Sequence, residues 1–295
     1  MSRGSEVRSK ALRLLETLRG SYRPVGGEVW VLAKAAKLNK LYLAYLRAVG
    51  SVLKGELLRE EARYRWFMER ATEVVSALKG LNYALYKFRR PVEHVSVDLD
   101  ILIDRKDASW AAQALINKGF EIAVTEPYTV TLMRRGFIVD LYTEPSFAWI
   151  VYMDGDRLLR DHAEEVEVNG IFARALTKEA EVVVSAAHAV YKEHMVLLID
   201  CLTLWTWRNS EVWSLANELR CEKALETLKN VCVYVRSGQV EAPYKLRPHE
   251  LAKLFLDKAL KDPTFRGSTL NVVQYAMRHR DFGTKVVNRL VRKSY

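Results

Sequence analysis

Two carboxylates, two residues apart, interrupt the apolar run Val95-Ser96-Val97-Asp98-Leu99-Asp100-Ile101-Leu102-Ile103. In a strand every second side chain shares a face, so Asp98 and Asp100 point one way while Val97, Leu99 and Ile101 point the other. Like charges side by side on a half-buried strand repel each other unless a cation or water compensates. Mg²⁺ is commonly held by one or two carboxylates together with substrate phosphates. A third acid has a similar setting in Phe137-Ile138-Val139-Asp140-Leu141-Tyr142. If that strand lies beside the first, three carboxylates converge. This constellation suits metal-assisted phosphoryl or nucleotidyl transfer.

The elements that must position these acids follow from periodicity. Residues 5–73 read as helix, with Ala11, Leu12, Leu14, Leu15 and Leu18 at helical spacing and a break at Arg23-Pro24-Val25-Gly26-Gly27. A second helix covers roughly 28–49 and a charged third one 52–69, with Lys54-Gly55 as an interruption. The pattern then changes. A short strand is expected at 74–78, a helix at 81–88, the Asp98 strand, a helix at 108–117 stopped by Gly119, and a strand at 120–124. A hairpin, 128–133 with 137–142, turns at Arg134-Arg135-Gly136, and 166–173 adds a small hairpin strand. From Thr177, an N-cap followed by acid in the first turn, the chain reads as helix again, with one helix running 181–194 and on through 197–207.

These pieces resemble the DNA polymerase β-like nucleotidyltransferase superfamily. They resemble most closely the uncharacterised nucleotidyltransferase family that carries Lys-Gly and Asp-x-Asp motifs. The matching residues are Leu78-Lys79-Gly80, Asp98-Leu99-Asp100-Ile101-Leu102, His188 and Asp200-Cys201-Leu202, over roughly residues 70–230. The family's arginine four residues before the first Asp is His94 here, with Arg89 and Arg90 upstream.

The resemblance implies an α+β fold, a mixed sheet with helices, flanked by N-terminal helices and a C-terminal helical bundle. The expected division is an N-terminal helical region at 1–70, a catalytic core at 71–175 and a C-terminal helical domain at 176–295. It implies Mg²⁺ or Mn²⁺ held by Asp98, Asp100 and Asp140, with NTP as substrate and RNA, a protein or a small molecule as acceptor. Lys79, Gly80, Arg89, Arg90, His94, His188 and Lys192 become candidate nucleotide contacts. Gly80 would let helix-start N–H groups approach the triphosphate, although an ordinary strand-to-helix turn needs the same glycine. Lys192, one turn after His188, fits a nucleotide contact or a solvated helix face. Trp205, Trp207 and Trp213 could stack a base, but buried anchors between helices are the commoner use.

Bulk properties narrow the classes. The 295-residue chain carries net charge +10, which makes polyanionic partners plausible, and basic clusters occur at Arg89-Arg90, Arg134-Arg135 and the tail Arg278, Arg280, Lys285, Arg289, Arg292, Lys293. No apolar stretch reaches membrane-spanning length and the N-terminus lacks a signal peptide's apolar segment, so a soluble cytoplasmic protein without a membrane partner is expected. Cys201, Cys221 and Cys232 form no CxxC pair and read as reduced core residues. Glutamine occurs only at 113, 239 and 274, a bias that fits a thermophile. Walker, Gly-x-Ser-x-Gly, Rossmann and HExxH motifs are absent. The rival reading is a non-catalytic nucleotide- or nucleic-acid-binding module, or one member of a toxin–antitoxin-like pair. Such binding would weaken with salt and need no divalent ion.

Overall fold

Helix formation at the start of the chain follows its apolar stripes. The computed structural model describes residues 9–279 together with Thr284 and Arg292. Helix α1 (Lys10–Leu18) is capped by the Ser9 hydroxyl, which accepts the Leu12 N–H, and buries Ala11, Leu14 and Leu15. Helices α2 (Glu28–Leu38) and α3 (Tyr42–Val49) pack on it, and a 3₁₀ turn at Gly50–Leu53 leads into α4 (Lys54–Ala77). The strand expected at 74–78 is the last turn of α4. Phe67, Ala71, Val74, Val75 and Leu78 repeat at three- and four-residue spacing, so a short apolar run there belongs to a helical stripe.

The helix expected at 81–88 is also replaced. Residues 83–85 form β1 (Tyr83–Leu85), buried on both faces because it pairs antiparallel with β2 (Asp98–Ile103) and parallel with β9 (Ile171–Leu176). A short apolar run buried on both sides carries no period that separates strand from helix. The expected helix at 108–117 is α5 (Ala108–Ile116). Strands β3 (Glu121–Glu126), β4 (Thr129–Arg134) and β5 (Phe137–Tyr142) follow as a meander, with Arg135 and Gly136 both at positive φ in the turn. Two-residue strands β6 (Ser146–Phe147) and β7 (Ile150–Val151), helix α6 (Gly155–Asp161) and strand β8 (Ala163–Val168) precede β9. The seven-stranded sheet runs β3-β4-β5-β2-β1-β9-β8. Its β2–β5 and β1–β9 pairs are parallel and the others antiparallel, so the sheet is mixed and the fold is α+β.

Thr177 caps α7 (Lys178–Ala187) by accepting the Ala180 N–H. The long helix expected beyond it does not continue. A π-turn at His188–Glu193 ends with His194 in the left-handed region, and β10 (Met195–Val196), paired with β11 (Tyr244–Lys245), intervenes before α8 (Leu198–Trp207). Helices α9 (Ser210–Glu218), α10 (Glu222–Arg236), α11 (Pro248–Lys261), α12 (Pro263–Ser268) and α13 (Asn271–Arg278) complete the described part. Arg280, Lys285, Arg289 and Lys293 of the basic tail lie outside the described residues.

Two apolar clusters divide the faces of the sheet. The smaller joins α4 and α5 to one face through Leu99, Ile101, Val139 and Leu141. The larger joins the other face, through Leu102, Tyr142 and Tyr86, to α7, α8 and α10, and runs on into α1, α2 and α3. N-terminal and C-terminal helices therefore share one core. The cysteine expectation is corrected here: Cys201 on α8 and Cys232 on α10 are disulfide-bonded, while Cys221 is a free, buried thiol. The two helices pack side by side, a proximity that a sequence separation of 31 does not reveal. Among the described residues, no helix is long and apolar enough to cross a membrane.

Candidate functional site

Parallel pairing of β2 with β5 sets Asp98 opposite Ile138 and Asp100 opposite Asp140. Because side chains alternate, the three acids lie on the face that carries Leu102 and Tyr142, turned toward the C-terminal helices. One carboxylate oxygen from each of Asp98, Asp100 and Asp140 lies within 4.8 Å of the other two. Asp100 is only 7% exposed, and its Oδ1 is buried with no hydrogen-bond partner. Asp98 accepts from Ser96 Oγ at 3.2 Å. Asp140 accepts from Thr131 Oγ1 at 2.5 Å and from the Tyr142 hydroxyl at 3.3 Å.

A cation already faces these acids. Lys87, two residues past β1, lies with its Nζ 2.8 Å from Asp100 Oδ2 and 3.3 Å from His188 Nε2. Burial works against the ammonium, but Asp100 and Asp98 outweigh it and hold its pKa above the ordinary value. Burial also pushes Asp100 up, assisted by Asp98 and Asp140 and opposed by Lys87. For Asp98 burial acts in the same direction, yet Lys87, Lys40 and Lys192 together leave its pKa below the usual carboxylate value. His188 is driven well below its ordinary pKa by burial and then by Lys87 and Lys192, so it is a neutral imidazole. In the tautomer that leaves Nε2 unprotonated, it accepts from Lys87.

Two clefts flank the acids. One, of about 250 Å³, is lined by Asp98 and Asp100 with Lys40, Lys87, Arg90 and Lys192. Lys192 Nζ donates to the Tyr142 hydroxyl at 3.2 Å. Glu193 and Arg292 also line this cleft and pair with each other. The other cleft, of about 360 Å³, shares Asp98, Asp100, Lys87 and Arg90 and is the aromatic one of the two, with Tyr64, Phe67, Phe88 and Trp207 among its walls. The segment leaving β1 is fixed by Glu181 on α7, whose Oε1 accepts the N–H groups of Phe88 at 3.0 Å and Arg89 at 3.2 Å. Burial raises the Glu181 pKa to about 7, against the pull of Arg90.

A hard divalent cation fits the acids. The donor set is all oxygen, the carboxylates are close enough to share a centre, and the orphaned Asp100 Oδ1 needs a partner. Asp98, Asp100 and Asp140 would hold the ion, with the Lys87 ammonium meeting part of the same negative charge.

Other expected residues fall in three places. Arg90 borders both clefts and donates to Ser185 Oγ and, at 3.5 Å, to Thr203 Oγ1. His94 lines both clefts too, its pKa lowered to about 3 by burial and Arg90. Arg89 lines the aromatic cleft while pairing with Glu164. His188 and Lys192 reach the basic cleft, so Lys192 is not on a solvated helix face. Lys79 and Gly80 are not brought to the acids. They form the exposed turn between α4 and β1, at the opposite end of β1 from Tyr86, whose N–H donates to the Asp100 carbonyl. Gly80 has φ 89°, a left-handed backbone that the turn itself asks of a glycine, and a Cβ placed on it would meet nothing within 4 Å.

Of the tryptophans, Trp213 is 39% exposed beneath Lys229 and Trp205 lies under Arg236, whereas Trp207 walls the aromatic cleft. Sequence reasoning passed over Lys87, Lys40, Glu181 and Tyr142. Lys87 had a visible signal, since Lys87-Phe88-Arg89-Arg90 is a basic run just ahead of the paired acids.

No curated protein matches this chain. A family model described as "Uncharacterised nucleotidyltransferase" matches residues 52–234, which include α4, the whole seven-stranded sheet, the three acids and most of α7 to α10. With its acid trio on a mixed sheet and more than half its length inside that match, the chain belongs to this family of uncharacterised nucleotidyltransferases.

Proposed function

We propose that the protein is a Mg²⁺- or Mn²⁺-dependent nucleotidyltransferase that moves a nucleoside monophosphate from an NTP to an acceptor hydroxyl. The observation that carries this reading is the meeting of Asp98, Asp100 and Asp140 beside a cleft walled by several cations. Bound to the three acids, a divalent ion would supply charge neutralisation for the phosphates and polarise the reacting oxygens. Lys87, Lys192 and Arg90 would hold the triphosphate as point charges and donors in a partly desolvated cleft, where such contacts are strongest. Tyr64 and Trp207, in the adjoining cleft, offer aromatic faces to the base.

In the reaction, the acceptor oxygen bonds to the α-phosphorus as the bond from that phosphorus to the leaving pyrophosphate oxygen breaks. The hydroxyl proton passes to Asp140. Thr131 and Tyr142 orient that carboxylate, and Tyr142, whose pKa is held well above its ordinary value by burial and by Asp100, keeps its own proton and remains a donor. Positioning and electrostatics supply most of the rate.

The test incubates the full chain with each α-labelled NTP, Mg²⁺ or Mn²⁺, and cellular RNA or protein. Transferred label is expected from the wild type and none from Asp98→Asn/Asp100→Asn, which should stay folded by circular dichroism. Equal transfer by that double variant would remove the proposed site.

A further inference from the structure

The N-terminal helices lie mostly outside the residues matched by the family, yet one of their side chains reaches the basic cleft. We propose that Lys40, on the turn between α2 and α3, binds the phosphates of the nucleotide. This deepens the nucleotidyltransferase reading and rests on it.

The backbone of this turn is held closely. Leu41 N–H donates to the Ala36 carbonyl at 2.9 Å and Lys40 N–H to that of Lys37 at 3.3 Å, the bonds of a helix end closed through a left-handed residue. That residue is Lys40 itself, at φ 55°, where glycine is the usual occupant and any other side chain costs roughly 1–2 kcal/mol. The preceding Asn39 is fully buried and pins the turn from three sides. Its Nδ2 donates to the carbonyls of Ala35 and Ala242, and its Oδ1 accepts the Leu198 N–H, each at 2.9 Å. The turn is therefore fixed against the start of α8 and the segment before β11, and Lys40 is delivered to a defined wall of the cleft.

The charges around it favour a polyanion. Lys40, Lys87, Arg90, Lys192 and Arg292 line this cleft, against Asp98, Asp100 and Glu193. Burial, with Lys87 and Arg90, lowers the Lys40 pKa to about 8, against Asp98 and Asp200. An NTP remains net anionic even with one divalent ion bound, so its triphosphate would relieve the crowding of cations and stabilise the charged form of Lys40. Lysine suits this task as a compact point charge on a flexible stem.

Calorimetric titration of the full chain with inorganic tripolyphosphate, and with each Mg²⁺–NTP, tests the assignment. Lys40→Gly removes the charge while fitting the left-handed backbone, Lys40→Arg restores the charge, and Lys37→Ala, which removes a lysine stacked on Tyr42, is the control. Lys40→Gly should weaken tripolyphosphate and NTP about tenfold, the loss of one hydrogen bond to a charged group, with unfolding temperature unchanged or raised. Lys40→Arg should recover most of the affinity, and the control should bind like the wild type. Unaltered binding by Lys40→Gly, or a loss that Lys40→Arg does not recover, overturns the role of Lys40 alone. Failure of the wild type to bind any NTP overturns the enzyme reading and this inference with it.

Discussion

Replacing Lys87 by methionine would separate the acids' need for a cation from their need for this particular one. Three carboxylates with oxygens within 4.8 Å of one another repel by roughly 3 kcal/mol per pair at an effective dielectric near 20. The Lys87 ammonium, 2.8 Å from Asp100 and only 11% exposed, offsets that repulsion. Methionine keeps the stem and the left-handed backbone at φ 57° equally strained, so the change isolates the charge. Removing one partner of a buried pair typically costs about 3–5 kcal/mol. For a chain of this length the expected fall in unfolding temperature is roughly 6–15 °C in chelator. A divalent ion at a hundredfold excess over its dissociation constant returns about 2.7 kcal/mol. Thermal unfolding with chelator and then with a Mg²⁺ or Mn²⁺ series reads both quantities. The variant should regain most of its loss with metal. A second arm, Lys87→Met with Asp100→Asn, should be less destabilised than the sum of the singles, because the two changes remove opposite charges. If metal stabilises Lys87→Met no more than it stabilises the wild type, Lys87 and the divalent ion do not answer the same charge and the argument fails.

Other outcomes follow from the same neighbourhood. Glu181, with its pKa raised to about 7 from an ordinary 4.5, keeps its proton in the folded state through a range where the unfolded chain has lost it. Its contribution to stability is thus present below pH 4.5 and lost as pH rises toward 7, by about 3 kcal/mol. Denaturant unfolding between pH 4.5 and 7.5 should show that slope flattened in Glu181→Gln, which still accepts the Phe88 and Arg89 N–H groups; an identical slope would refute the assignment. Trp207→Ala should weaken NTP about tenfold or more and leave tripolyphosphate unchanged, as expected for base stacking. Equal losses for both ligands would exclude that role. Cys201→Ser with Cys232→Ser should lower stability by about 3–4 kcal/mol, from the loop that the disulfide closes over a separation of 31. Denaturant melts with and without reductant measure it, and no difference would mean the bond contributes nothing to folding.

How much of this was legible depends on the range of each interaction. Alternation around Asp98 and Asp100 and around Asp140 is local, and so the strands, the shared face and the hairpin between β4 and β5 could be read directly. Residues 74–78 and 83–85 could not. Each is a short apolar run, and only the neighbour it packs on, α4's own stripe or the strands β2 and β9, decides its form. That exchange moved the expected phosphate loop. Lys79-Gly80 became the turn entering β1, and the residues leaving β1, Lys87 to Arg90, took the place beside the acids. Lys40 and the Cys201–Cys232 bond depend on contacts between distant helices, which no local pattern encodes.

The bonds of Asn39 have a consequence for any attempt to trim the protein. This one buried amide ties the turn after α2 to residues 198 and 242, and Leu14, Leu32 and Leu46 belong to the same buried core as Leu225 and Leu228. A fragment cut to residues 52–234 would keep every acid and every strand of the main sheet. It would also carry a raw apolar scar where the helices before residue 52 and after residue 234 had been, and lose one wall of its basic cleft. The opening helices are thus a permanent part of the domain's interior, and any shortened version has to keep them.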